Sequence, residues 1–210
     1  MKNMFSSTAV TRTENNSFVV ATINEGLFIE KNGIWKNTLP QLNYHIRDLK
    51  CTGGIIYGVG DKGMFLRSID EGETWRIERF PTKASIWSIS CNSKGLVVAH
   101  GEKVIYISTT YGETWNTLYP FDVSNPPSIR SLCLYEDTLF IGTKVHPENG
   151  GVWMVDLFTN EVRRVKVETS RMISSMVVHK HLLVTVSGAC RGKNGLLEFL
   201  SLNSIKHEKN

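Results

Sequence analysis

The chain contains one eight-residue motif twice, at a spacing of forty residues. "SIDEGETW" occupies residues 68–75, and "STTYGETW" occupies residues 108–115. The apolar pattern repeats with it, because "HIRDLKCTGGIIYGVGDKGMFLR" (45–67) aligns with "SIWSISCNSKGLVVAHGEKVIYI" (85–107). A period of roughly 20 to 50 residues is typical of repeat proteins. The motif therefore predicts a structural unit that the chain repeats, and not a duplicated catalytic site.

Five such units account for the 210 residues of the chain, at approximately residues 7–40, 45–80, 85–120, 128–167 and 171–208. Each unit has the pattern of four short strands, which in the third are Ile86–Cys91, Leu96–His100, Val104–Ser108 and Thr114–Leu118. Four-stranded units of about 40 residues are typical of β-propeller blades. The sequence predicts an all-β fold: a single five-bladed β-propeller of four-stranded antiparallel blades, with residues 1–210 as one domain.

The repeated motif resembles the Asp-box, or BNR repeat, whose pattern is Ser/Thr-x-Asp-x-Gly-x-Thr-Trp. The first copy matches completely, at Ser68, Asp70, Gly72, Thr74 and Trp75. The second matches at Ser108, Gly112, Thr114 and Trp115, with Thr110 in the aspartate position. The fourth and fifth units keep only a polar turn, "VDLFTNEV" and "SLNSIKHE".

The resemblance implies a structural role for these residues, in a hairpin between the third and fourth strands of a blade. Asp70 is expected to accept hydrogen bonds from nearby backbone N–H groups, and Gly72 to supply a positive φ. Trp75 is expected to bury its ring between blades. The alternative, a catalytic Asp70 or Glu73, would not explain why the motif follows the repeat.

A candidate ligand-binding site lies on the opposite face of such a propeller, at the mouth of its channel. Equivalent positions at the start of the innermost strands read Arg47, Trp87, Arg130 and Ile173. Two long loops, 143–151 and 187–195, are expected on the same face. The predicted ligand-binding residues are Tyr44, His45, Arg47, Trp87, Arg130, His146, Glu148 and Arg191.

Each part of this set has a structural alternative. The arginines suit a carboxylate or a planar ligand, because a guanidinium binds carboxylates in a bidentate manner and stacks on aromatic rings. Equally, they could fill the channel and pair with Asp48 or with loop carbonyls. His146 and Glu148 could form an acid/base pair, or Pro147 between them could simply form a turn.

The Asp-box resemblance also raises the possibility of an enzyme. Sialidases carry an Arg-Ile-Pro stretch and three substrate-binding arginines, and this sequence has no such stretch. Glycoside hydrolysis requires two facing carboxyl groups, and of the inner strands only the second carries one, Asp48. The sequence favours a non-catalytic scaffold that binds a protein, a peptide or a small anionic ligand at the channel mouth. A glycan-binding protein or a small carbohydrate-active enzyme is the alternative.

Composition limits the remaining function classes. The formal net charge is +4, and the Lys and Arg residues are scattered, so no nucleic-acid partner is expected. No stretch approaches the roughly 20 apolar residues of a membrane helix. The sequence predicts a cytoplasmic monomer without a metal or cofactor, whose partner is an unidentified protein, peptide or small molecule.

Overall fold

The structure is a computed structural model that describes residues 6–23, 25–40, 42, 44–188 and 194–207. Within these residues, nineteen strands form five antiparallel sheets. Sheet 1 contains β1 Ser7–Arg12, β2 Phe18–Thr22, β3 Gly26–Lys31 and β4 Ile34–Leu39. Sheet 2 contains β5 Ile46–Thr52, β6 Ile55–Gly60, β7 Met64–Ser68 and β8 Arg76–Arg79, with a 3₁₀ turn at Asp61–Gly63. Sheet 3 contains β9 Ser88–Cys91, β10 Val97–His100, β11 Ile105–Ser108 and β12 Asn116–Leu118.

The last two sheets follow the same sequential order. Sheet 4 contains β13 Ile129–Tyr135, β14 Thr138–Thr143, β15 Gly151–Asp156 and β16 Val162–Val167. Sheet 5 contains β17 Ile173–His179, β18 Leu182–Ser187 and β19 Leu196–Ser201, and is followed by helix α1, Leu202–His207. In every sheet each strand pairs with its neighbour in sequence. The all-β fold predicted from the repeat is confirmed, with one sheet in each predicted unit.

The chain divides into two compact units. The first comprises Met1–Gly101 and Tyr106–Asn116, and the second comprises Glu102–Ile105 and Thr117–Asn210. In the first unit, the core joins Val19 and Leu27 of sheet 1 to Leu49 and Leu66 of sheet 2. In the second, a separate cluster includes Phe140 of sheet 4. The prediction that residues 1–210 form a single domain stays a prediction.

The prediction of four strands in the last unit is wrong for the described residues, where sheet 5 has three. Helix α1 lies where the polar turn before the fourth strand was expected, and the Leu202 N–H donates to the carbonyl oxygen of His181 at 2.8 Å. Leu202 and Ile205 are three residues apart and therefore share one helix face. Both are buried in the cluster that contains Leu183, so a short helix satisfies this apolar spacing better than a strand.

The first hairpin motif forms a closed set of hydrogen bonds. The Asp70 carboxylate accepts from the Thr74 amide at 2.9 Å and from the Thr74 hydroxyl at 2.5 Å. The Ser68 hydroxyl donates to Asp70 at 2.8 Å and accepts from the Gly72 amide at 2.8 Å. Gly72 has φ +91°, a conformation that glycine adopts without strain. The expected structural role of these residues is therefore supported by their contacts.

The second motif reproduces this geometry without the aspartate. The Thr110 hydroxyl accepts from the Thr114 amide at 2.9 Å and lies 2.8 Å from the Thr114 hydroxyl. Ser108 again accepts from the Gly112 amide, at 2.9 Å. A neutral hydroxyl thus replaces a carboxylate and supports the same turn with weaker, uncharged hydrogen bonds.

Restoring the aspartate should stabilise the second hairpin. We expect Thr110→Asp to raise the free energy of unfolding by about 0.5–1.5 kcal/mol, because a charged acceptor strengthens the bonds from Thr114. Thr110→Val keeps the side-chain shape but removes the acceptor, and should lower the same quantity by about 1 kcal/mol. Urea denaturation of the three proteins measures both changes. Equal stabilities would contradict a hydrogen-bonding role for position 110.

Candidate ligand-binding site

The first strands of several sheets carry a β-bulge near their start. Pairing shifts between Ile46 and Asp48 in β5, and between Ile129 and Ser131 in β13, so Arg47 and Arg130 lie at bulge positions. Bulges re-aim side chains and are frequent beside functional sites. In β17 the shift lies between Ile173 and Ser175. The residue equivalent to the arginines is therefore Ser174, and the sequence alignment that placed Ile173 there is wrong by one position.

Arg47 is held by two neighbours in the first unit. Its Nε donates to the Asp61 carboxylate at 2.6 Å. Its guanidinium carbon lies 4.1 Å from the centroid of the Trp87 ring, which is 39% exposed. A guanidinium that both stacks on an indole and donates a hydrogen bond to a carboxylate can adopt few orientations. Arg47 is thus pre-organised, with an aromatic surface beside it that solvent reaches.

Asp61 connects Arg47 to His45 and Ser85, and no sequence motif indicated it. It begins the 3₁₀ turn after β6, and its amide donates to the carbonyl oxygen of His45 at 3.0 Å. Its carboxylate also accepts from the Ser85 hydroxyl at 2.8 Å and lies 3.9 Å from His45 Nδ1. Burial opposes ionisation here, but bonds from Ser85 and Arg47 hold the pKa of Asp61 below its usual value.

Tyr44 extends the group with two further cations. Lys62 Nζ and the Arg79 guanidinium carbon each lie 4.8 Å from the centroid of the Tyr44 ring. Arg79 also donates to the Lys62 carbonyl oxygen at 2.8 Å. Four of the eight predicted residues therefore lie in one neighbourhood, together with residues that the sequence did not indicate. We call Tyr44, His45, Arg47, Asp61 and Trp87 the Arg47 cluster.

Asp48 is not the partner of Arg47 and has a different structural role. Its carboxylate accepts from the Ser88 hydroxyl at 2.9 Å and from the Ile89 amide at 3.1 Å, which ties β5 to β9. Lys50 lies 3.4 Å from the other carboxylate oxygen. The one carboxylate that the sequence offered for glycosidase chemistry, which requires two, is thus engaged in joining two sheets.

The predicted residues of the second unit are arranged as a turn. His146 is buried, and its Nδ1 accepts from the Asn149 amide at 2.9 Å and the Glu148 amide at 3.3 Å. The Trp153 indole donates to the Asn149 carbonyl oxygen at 3.1 Å. The Glu148 contacts to His146 come from its backbone, so these contacts favour the turn over an acid/base pair. Arg130 lies partly exposed in β13, and Arg191 lies outside the described residues.

The contacts of the Arg47 cluster suit binding better than acid/base or nucleophilic chemistry. Ser85 donates directly to Asp61, without an imidazole between hydroxyl and carboxylate as a catalytic triad requires. Among the described residues, no group of three or more His, Cys, Asp or Glu side chains could hold a metal ion. In the same part of the chain, no helix is long and apolar enough to span a membrane.

Comparison with known proteins places the chain in a family. No family model matches it. It is 40% identical over 201 residues to the uncharacterized protein YkuO of Bacillus subtilis (strain 168), an alignment that spans 93% of the chain and 67% of YkuO. The chain belongs to the YkuO family. YkuO is the longer protein, so about a third of its length has no counterpart in this alignment.

Solved structures similar to this YkuO-family chain show its fold class. YCF48 from Cyanidioschyzon merolae superposes with a TM-score of 0.69 at 15% identity, covering 95% of the chain and 70% of YCF48. YCF48 bound to D1 peptide gives 0.63 at 15% identity, covering 94% and 68%. U3-55K gives 0.66 at 12% identity, covering 86% and 59%. The YkuO-family chain therefore has a β-propeller fold, as the repeat predicted.

Acid should weaken the Arg47 cluster of the YkuO-family chain through Asp61. The folded-state pKa of Asp61 is lowered from 3.8. Its ionised form therefore stabilises the fold fully above the unfolded-state pKa, and this contribution is lost as the pH falls through the folded-state value. We expect Asp61→Asn to reduce stability at neutral pH and to flatten the loss of stability below about pH 4. Urea denaturation of both proteins across this pH range measures their free energies of unfolding. Parallel pH profiles would contradict a stabilising role for ionised Asp61.

Proposed function

We propose that this chain is a non-catalytic β-propeller scaffold that binds a protein or peptide segment at the Arg47 cluster. The observation that carries the proposal is the fixed position of Arg47, bonded to Asp61 through Nε and stacked on an exposed indole. A guanidinium has five N–H donors, and Asp61 occupies one through Nε. The terminal nitrogens can take a carboxylate in a bidentate manner.

The charge around Arg47 supports an acidic or carboxylate-bearing segment as ligand. Lys62 and Arg79 lie beside the Tyr44 ring, and Arg47 is paired with Asp61, so three permanent cations lie in or next to a cluster that contains one carboxylate. Trp87 adds exposed aromatic area, and Trp and Arg are the residues most enriched among those that dominate binding energy at protein interfaces. The structure of YCF48 bound to D1 peptide supports peptide binding as a use of this fold.

We further infer that the five sheets are successive propeller blades and that the two hairpin motifs are Asp-boxes. The bonds of Asp70 and Ser68 support the second inference. In this arrangement the Arg47 cluster would lie at the channel mouth, at the end of sheet 2 opposite its hairpin motif. The glycan alternative is less favoured, because cations lie over the Tyr44 and Trp87 rings that a sugar would need for stacking.

A peptide selection tests the function directly. Phage displaying random dodecapeptides would be selected on the wild-type protein, and the selected peptides synthesised and titrated by calorimetry. We expect peptides rich in Asp and Glu, whose affinity falls at least about tenfold in Arg47→Met and in Trp87→Ala, since each loses a bidentate or stacking contact.

Arg76→Met is the matched control. Arg76 is also paired with a carboxylate, at 2.8 Å from Glu113, but it lies next to the first hairpin motif. It should bind the selected peptides as wild type does. Peptides that bind the Arg47 and Trp87 variants unchanged would place the site elsewhere, and a selection that enriches no peptide would contradict peptide binding altogether.

A further inference from the structure

Two neighbouring cations next to the Arg47 cluster lack a negative partner. Lys62 and Arg79 are exposed, and across the described ranges neither lies in ion-pair contact with a carboxylate. Arg76, at the other end of strand β8, differs from Arg79 because it contacts two carboxylates, Glu78 at 2.5 Å and Glu113 at 2.8 Å. Like charges that lie close together without compensation repel each other, so such a pair attracts an anion from outside the chain.

Backbone contacts hold these two cations beside one aromatic ring. Lys62 lies in the 3₁₀ turn with φ +54°, and the Arg79 guanidinium donates to its carbonyl oxygen at 2.8 Å. The Phe80 amide donates to the Gly63 carbonyl oxygen at 2.8 Å, which joins the end of β8 to the same turn. The Tyr44 ring packs on the core of sheets 1 and 2, and each cation lies 4.8 Å from its centroid. We call Tyr44, Lys62 and Arg79 the Tyr44 subsite.

The charge of the Tyr44 subsite suits a doubly charged oxyanion. A carboxylate carries one negative charge, whereas a phosphorylated side chain carries close to two at neutral pH and presents three acceptor oxygens. Arg79 uses one guanidinium nitrogen on the Lys62 carbonyl oxygen, which leaves further N–H donors for a forked contact, and Lys62 adds a compact point charge. Arg47, in contrast, is already balanced by Asp61. Two uncompensated charges therefore match a phosphoryl group better than a carboxylate.

We infer that the Tyr44 subsite binds a phosphoryl group on the same peptide segment that occupies the Arg47 cluster, an inference that rests on the proposed function. Tyr44 belongs to both groups, and Lys62 directly follows Asp61 in the chain, so the two groups adjoin. A segment with a phosphorylated residue near an acidic residue fills both, since Arg47 takes the carboxylate and the Tyr44 subsite takes the phosphoryl group.

A peptide series separates the phosphoryl contact from a general attraction to acidic peptides. Three synthetic libraries with the same random flanks would carry serine, glutamate or phosphoserine at the central position. The tightest binders of each library would be resynthesised and titrated against the full chain by fluorescence anisotropy. Phosphoserine peptides should bind at least about tenfold more tightly than their glutamate versions, because each hydrogen bond to a charged group adds affinity of that order.

Charge-removing variants assign the preference to the Tyr44 subsite. Lys62→Met and Arg79→Met keep the side-chain stems, and each should reduce the advantage of phosphoserine over glutamate about tenfold. Arg47→Met should weaken the phosphoserine and glutamate peptides by the same factor. Arg76→Met is the matched control, because it removes a charge from the same strand as Arg79 at a position that has carboxylate partners. Its phosphoserine preference should equal that of wild type.

The outcomes distinguish this inference from the proposed function. Equal affinity of the wild-type protein for phosphoserine and glutamate peptides would overturn the phosphoryl contact and leave the proposed function intact, whereas no binding by any library would overturn both. A phosphoserine preference that persists in Lys62→Met and Arg79→Met would place the contact outside the Tyr44 subsite. Inorganic phosphate that competes at concentrations as low as the phosphoserine peptides would show a site for the free anion, and not for a group carried by a peptide.

Discussion

Replacing Phe65 with alanine should lower the free energy of unfolding by about 3–5 kcal/mol, as is typical when a buried aromatic is truncated. Phe65 is almost completely buried in sheet 2. Its ring contacts Trp115 edge-on, with centroids 5.0 Å apart, and Phe80 at 5.8 Å. The tryptophan of the second hairpin motif therefore packs against a ring of the preceding sheet, and losing that ring should leave a cavity beside it.

Trp87→Ala is the matched control, because it removes a larger aromatic ring that is exposed at the Arg47 cluster. It should lower the free energy of unfolding by less than about 1 kcal/mol, as surface changes usually do. Its effect should appear in peptide affinity instead. Chemical denaturation of both variants, followed by peptide titration, measures the contrast. A Phe65→Ala protein as stable as wild type would contradict the packing of Trp115 on sheet 2.

Local repeats made much of this fold predictable from the sequence. Strands of three to seven residues recur in every unit, and those predicted for the third unit start one or two residues before the observed ones. The Asp70 hairpin was predictable because its bonds join residues no more than four positions apart. Short-range patterns of this kind can be recognised without knowing how the sheets pack.

The Arg47 cluster was less predictable because its decisive contact is not local. Arg47 and Asp61 are fourteen residues apart and meet where β5 and β6 pair, Ile46 opposite Gly60. The register of this hairpin places Asp61 beside Arg47. The spacing of apolar residues alone does not show which residues of the two strands are paired. The bulge in β17 likewise moved Ser174 into the position assigned to Ile173, since a bulge adds one residue that a sequence pattern does not show.

The difference between local patterns and distant contacts also explains why helix α1 was not predicted in the last unit. "SLNSIKHE" has the polar composition of a turn, and the repeat suggested that a strand follows it. The apolar pair Leu202 and Ile205 instead packs as a helix face on the cluster around Leu183 and Phe140. Tertiary burial therefore decided the conformation of this segment, as it commonly overrides weak local preference.

Gly26→Ala should be as disruptive as a core truncation, although it adds only one methyl group. Gly26 begins β3 with φ +92°, and a Cβ placed there would lie 1.8 Å from the carbonyl oxygen of Leu39 in the neighbouring strand. Backbone atoms of a paired strand cannot move aside as a flexible side chain would. We expect a loss of about 3–5 kcal/mol, which combines backbone strain with overpacking.

Gly33→Ala separates the two contributions within the same sheet. Gly33 also has a positive φ, +80°, but a Cβ there would have no neighbouring atom within 4 Å. This variant should lose only about 1 kcal/mol, the cost of the backbone conformation by itself. Urea denaturation of both variants gives the difference. A large gap between them would assign most of the Gly26 effect to the approach of β3 and β4, whereas equal losses would show that backbone conformation alone requires glycine at both positions.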